Sequence, residues 1–146
     1  MGLLDKKFLS PAEESQITEA IKSAEKDTSG EIRLHIEPYC KIDVLDRAAD
    51  VFGFLEMHKT KLRNGVLFYL AYEDRKFAIL GDGGINAKVP VTFWDEIRNH
   101  VTHSFKSGKY AEGLSEGIRM AGEQLKSHFP YQSDDKNELS DEISYG

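Results

Sequence analysis

The chain has 146 residues, 40% hydrophobic and 30% charged, with a net charge of -6 and a single cysteine. That length supports one domain whose core needs no disulfide or structural metal, so the domain is expected to stay folded without an ion. No basic stripe marks a nucleic-acid partner, Cys40 alone forms no disulfide or zinc cluster, and no apolar run suits a signal peptide or membrane insertion.

Ser10 is placed to cap a first helix, with Pro11 at its first position and Glu13 completing a capping box. Ile17, Ala20, Ile21 and Ala24 form its apolar stripe, and Thr28-Ser29-Gly30 ends it. From Glu31 to Glu37 the alternation is strict, Ile32, Leu34 and Ile36 inward with Arg33 and His35 outward, which predicts a half-buried strand. A second helix is expected from Asp43 to about His58, burying Ala48, Val51, Phe52 and Leu55. The apolar run from Gly65 to Ala71, the charged turn Glu73-Asp74-Arg75-Lys76 and a second run from Phe77 to Leu80 predict two strands in a hairpin. A strand–helix–strand unit of this length favours a parallel pair. Thr92 is the expected cap of a third helix, with Phe93, Ile97, Val101 and Phe105 at four-residue spacing. The last helix runs from about Ala111 to Phe129, burying Leu114, Ile118, Ala121 and Leu125, and Pro130 stops it. These elements make one α/β domain over 1–130, with a mixed sheet of three or four strands and four main helices on both faces. Residues 131–146 read as an acidic, partly ordered tail, and because it offers little to bury, deletion of Ser133 to Gly146 is expected to leave stability nearly unchanged.

Several motifs are better explained by structure than by chemistry. Gly113-Leu114-Ser115-Glu116-Gly117 has the G-x-S-x-G form of a nucleophile elbow, but it lies inside a helical stripe rather than after a strand. Cys40 and Arg47 are one residue too far apart for a phosphate-cradling loop, with no glycine between them. Gly81-Asp82-Gly83-Gly84 lacks the third glycine of a dinucleotide loop, since Asn86 stands there, and Asp82 would repel a pyrophosphate.

The same loop suits a hard cation. Asp82 supplies charge, Asn86 an amide oxygen, and the glycines let carbonyls turn inward. The expected topology adds Glu31 and Asn64 at the same sheet edge, so the candidate metal ligands are Asp82, Asn86, Glu31 and Asn64. The competing reading is an ordinary turn in which Asp82 caps a helix. Asp43, Asp46 and Asp50 form a rival group that helix capping and a solvated face explain. Asp134, Asp135, Asn137 and Glu138 lack the glycine of an EF-hand loop. Among the histidines, only His58 near the crossover draws notice.

Taken together, the pattern resembles the TPM domain family, named for a thylakoid-lumen protein, a photosystem II-associated protein and a modulator of acetylcholine receptors. The resemblance rests on Leu9-Ser10, Ser29-Gly30-Glu31-Ile32, Arg63-Asn64-Gly65-Val66-Leu67, Asp74-Arg75-Lys76, Gly81-Asp82-Gly83-Gly84-Ile85 and the Phe105, Gly108, Tyr110, Gly113-Leu114 series. It implies a three-layer α/β/α sandwich and divalent-cation binding, by Ca2+ or Mg2+, in loops at one sheet edge. The expectation is a regulatory or partner-binding module with an unidentified protein partner. The alternative is a metal-assisted acid phosphatase acting on phosphomonoesters, for which Arg63 and Lys88 are the available cations near the loop. The membrane helix and glycine-rich tail of many relatives do not appear in this sequence, so a stand-alone, soluble, cytoplasmic member is expected.

Overall fold

The computed structural model describes residues 8–131 and 138–146. Helix α1 (Pro11–Glu25) begins at the predicted capping box. Ser10 Oγ accepts from the Glu13 amide at 3.1 Å, and Glu13 Oε1 accepts from the Ser10 amide at 2.9 Å, satisfying two donors that a helix start leaves orphaned.

Strand β1 (Glu31–Glu37) runs parallel to β2 (Gly65–Ala71), with Glu31 opposite Gly65 and Glu37 opposite Ala71. The connection between them carries α2 (Val44–Phe54), capped by Asp43, whose side chain accepts from the amides of Leu45 and Asp46. This helix stops four residues before the expected end. Glu56 turns left-handed at φ 56°, and Met57–Lys59 form a short 3-10 turn that swings Met57 fully into the core. Leu55, expected in the core, is consequently only half-buried. Strand β3 (Lys76–Gly81) returns antiparallel to β2 from Lys76 opposite Ala71.

The glycine loop after β3 is a single helical turn, α3 (Gly83–Asn86), with Asp82 capping it. Helix α4 (Val91–Lys106) starts two residues earlier than expected. Pro90, with its ring fixing φ at -67° and ψ extended at 152°, is the cap residue, so Thr92 lies inside the helix, where Asp95 pairs with Arg98 at 3.2 Å. Helix α5 (Tyr110–His128) carries Gly113, Leu114, Ser115 and Gly117 on its buried face, so Ser115 sits in a helix interior and is no nucleophile elbow.

The sheet order is β3-β2-β1-β4, where β4 (Ser144–Tyr145) pairs parallel with β1. One face packs Ile32, Leu34, Ile36, Val66, Phe68, Leu70, Phe77 and Ile79 against α1, α4 and α5. The other packs Leu67, Tyr69, Ala71 and Ala78 against α2, giving the expected three layers. No described helix is long and apolar enough to cross a membrane.

Two expectations need correction here. The half-buried strand is buried on both faces, with Glu31, His35 and Glu37 each no more than 6% exposed. The cause is the C-terminal segment, expected to remain solvated, whose residues 138–146 lie along β1. Leu139 and Ile143 pack onto the two core faces, and the Gly146 amide donates to the Ile36 carbonyl at 2.9 Å. Of the acidic group considered there, Asp134, Asp135 and Asn137 lie outside the described residues.

Candidate functional site

The parallel β1–β2 pair and the β2–β3 hairpin bring Glu31, Asn64 and Asp82 to one sheet edge. The Glu31 amide donates to the Asn64 carbonyl, and the Asp82 amide donates to the Gly65 carbonyl at 2.9 Å. Two loops cross there. The Gly84 amide donates to the Arg63 carbonyl at 2.8 Å. A Cβ on Gly84 would drive into the backbone carbonyls of Leu62 and Arg63, so only glycine permits this approach. Arg63 is itself left-handed, at φ 53°, a conformation that costs a non-glycine residue about 1 kcal/mol or more.

The four predicted ligands are differently engaged. Both oxygens of Asp82 face the Arg63 guanidinium, at 2.7 and 2.8 Å, and Oδ1 also accepts from the Gly83 amide at 2.7 Å. Asn86 donates Nδ2 to the Gly81 carbonyl and accepts from Trp94 Nε1, both at 2.8 Å. Asn64 is wholly buried, its Nδ2 donating to Ser29 Oγ at 3.5 Å, while its Oδ1 has no hydrogen-bond partner. Glu31 accepts from the amides of Glu138 and Leu139 at 2.6 and 2.8 Å.

Glu31 also belongs to a carboxylate group that the sequence did not reveal. Burial, with lesser repulsion from Glu138 and Asp141, pushes its carboxyl up to about 7 against the lowering effect of the two amides. Glu25, whose Oε2 accepts from the Ile32 amide at 2.7 Å, is pushed up to about 10 by burial and by a hydrogen bond with Asp141. The Oδ1 of Asp141 is buried without a partner. Among the described residues, no three Asp, Glu, His or Cys side chains are placed to hold a metal ion together.

The far end of β1 carries a second polar cluster. Arg47 grips Glu37 with two bonds of 2.8 and 2.9 Å, Tyr69 donates its hydroxyl to the same carboxylate, and His35 Nε2 lies 3.1 Å from it. The Arg47 bonds hold the Glu37 carboxyl down to about 2 despite burial, whereas burial lowers the pKa of His35. Arg47 is thus committed to Glu37, and the Cys40 thiol donates to the Ile42 carbonyl, so no phosphate cradle exists there. Truncation of Arg47 to Ala should destabilise the fold by about 2 kcal/mol, because Glu37 is left charged and buried with weaker partners. Urea unfolding at neutral pH measures this, and an unchanged midpoint refutes it. Of the rival carboxylates, Asp43 is a helix cap and Asp46 and Asp50 are exposed; His58 is exposed on the 3-10 turn.

The TPM domain matches residues 4–124. The chain is similar over 97% of its length to the BA42 protein of the psychrophilic bacterium Bizionia argentinensis, with 51% identity, 98% of that chain covered and a TM-score of 0.91. Two more distant structures share the fold. The N-terminal domain of cg2496 from Corynebacterium glutamicum has 15% identity and a TM-score of 0.66, over 87% of this chain and 79% of that one. An N-terminal domain from P. gingivalis has 22% identity and a TM-score of 0.68, over 85% and 82%. No curated protein matches. With the family matching most of its length and a half-identical structure spanning nearly all of it, the chain belongs to the TPM domain family.

Proposed function

We propose that the chain is a divalent-cation-binding module in which calcium or magnesium orders the crossing loops 59–64 and 81–89, which then engage a protein partner. The supporting observation is the Asn64 amide oxygen, wholly buried beside the crossing and without a partner. An unmet buried acceptor costs about 1–3 kcal/mol, and a bound ion would remove that penalty. The donors available at this edge are oxygens: the Asp82 and Glu31 carboxylates, the Asn64 and Asn86 amides, and the Leu62 and Arg63 carbonyls. That set fits a hard cation and not zinc. Arg63 holds the place of a positive charge on Asp82, and its side chain is 56% exposed, so it is free to swing into water when an ion takes over the carboxylate. The glycines of the loop favour calcium's variable coordination over the strict octahedron of magnesium.

With one or two carboxylates, affinity should lie at about 10⁻⁷ to 10⁻⁵ M. Amide spectra recorded during a calcium titration should change at 59–64 and 81–89 and leave the helices unmoved. Asp82→Asn, which keeps the size and removes the charge, should weaken binding by about tenfold or more. Changes confined to Asp43–Asp50, or calcium affinity untouched by Asp82→Asn, would sink the reading.

A further inference from the structure

The outward residues of β1 do not face water; in succession they grip one extended segment. Glu31 accepts the amides of Glu138 and Leu139, Arg33 donates Nη2 to the Glu142 carbonyl at 3.1 Å, and His35 Nδ1 meets Ser144 Oγ at 2.9 Å. Tyr145 pairs with Ile36 in the sheet and gives its hydroxyl to Glu14 on α1. Gly146 closes the row. A Cβ there would stand 2.8 Å from His35 Nε2 and closer still to Glu37 Oε1, both held rigidly by the Arg47–Tyr69 network.

We propose that the edge of β1 is a strand-accepting peptide groove that selects a hydroxyl residue, a tyrosine and a glycine in succession. Its resident occupant is the chain's own segment 138–146. Main-chain pairing to a sheet edge supplies generic affinity in such grooves, and side-chain contacts at fixed positions supply selectivity. Both are present. Ile36 offers its carbonyl to the Gly146 amide, while His35, Glu14 and the steric wall of His35 and Glu37 read positions 144, 145 and 146. Within 138–146, Ser144 and Tyr145 form the ladder with β1, and this short stretch holds that end of the segment in place. The 138–146 segment of a second copy carries the same three residues and therefore competes for the edge. The inference extends beyond the cation reading and shares with it only Glu31.

The test uses a fluorescent peptide spanning Glu138 to Gly146 in metal-free buffer, so that failure of the cation reading leaves it unaffected. The full chain carrying Ser144→Pro and Gly146→Val, which undocks the resident strand, should bind this peptide at least tenfold more tightly than the unaltered chain. The same peptide with Gly146→Val should bind that variant at least tenfold more weakly. Equal binding of the two peptides, or equal binding by the two chains, overturns the groove. A second arm avoids any folding defect in the variant. Isotope-labelled unaltered chain receives excess unlabelled peptide, and the amide signals of 138–146 should move toward released positions while the helices stay fixed. Signals that do not move show a permanent strand and also overturn the proposal.

Discussion

Removing residues 138–146 should lower the thermal unfolding midpoint by about 10 °C. The segment buries part of Leu139 and Ile143, adds a fourth strand and supplies the amides that satisfy Glu31. Hydrogen bonds to a charged group contribute about 1.5–3 kcal/mol each, and partial burial of two aliphatic side chains adds a similar amount. Loss of chain freedom in the segment offsets the larger part of these gains, leaving a net contribution of about 3 kcal/mol. At about 2–4 °C per kcal/mol for a chain this size, the expected fall follows. Composition alone leads to the opposite expectation, of no change. Scanning calorimetry at neutral pH decides between them, and an unmoved midpoint would mean that the docked strand contributes nothing net.

The contrast shows which parts of the molecule a sequence makes legible. Ser10, Pro11 and Glu13 encode the start of α1 locally, and the capping box forms as read. The Ile32, Leu34, Ile36 alternation fixes which side of β1 meets the main core, because a slip of one residue would bury Arg33 and His35 there instead. The meeting of Glu31, Asn64 and Asp82 at one edge also follows from topology, since a parallel pair and a hairpin place those strand ends side by side. The Arg63–Asp82 pair was not legible, for it depends on a left-handed Arg63 and on the crossing at Gly84. Strand β4 was hidden for a different reason. A two-residue strand in an acidic stretch has no alternation to detect, and it docks chiefly on polar side chains rather than on an apolar stripe. The Glu25–Asp141 contact depends in turn on that docking, across more than a hundred residues of chain.

Docking of the segment also gives stability an unusual dependence on pH. Burial raises Glu25 to about 10 and Glu31 to about 7, against an ordinary value of 4.5. A carboxyl raised by folding contributes fully below 4.5, and its contribution is lost as pH climbs toward the folded value. The windows are 4.5 to about 7 for Glu31 and 4.5 to about 10 for Glu25. Glu37, held down to about 2 by Arg47, works in reverse, its contribution being present above 4.5 and lost as pH falls toward 2. Stability should therefore peak near pH 5 and decline toward pH 8. Each pH unit in which one carboxyl is protonated only in the folded chain removes about 1.4 kcal/mol. Partial solvent access at Glu25 and Glu31 reduces the total to about 3 kcal/mol between pH 5 and 8. Glu25→Gln tests the assignment. The amide keeps an acceptor for Ile32 and offers Asp141 a permanent donor, so the chain no longer has to hold a proton there. Its unfolding midpoint should exceed that of the unaltered chain by about 5 °C at pH 8 and match it near pH 5. Calorimetry at pH 5, 6.5 and 8 in metal-free buffer measures both curves, and parallel curves would show that Glu25 is ionised in the folded protein.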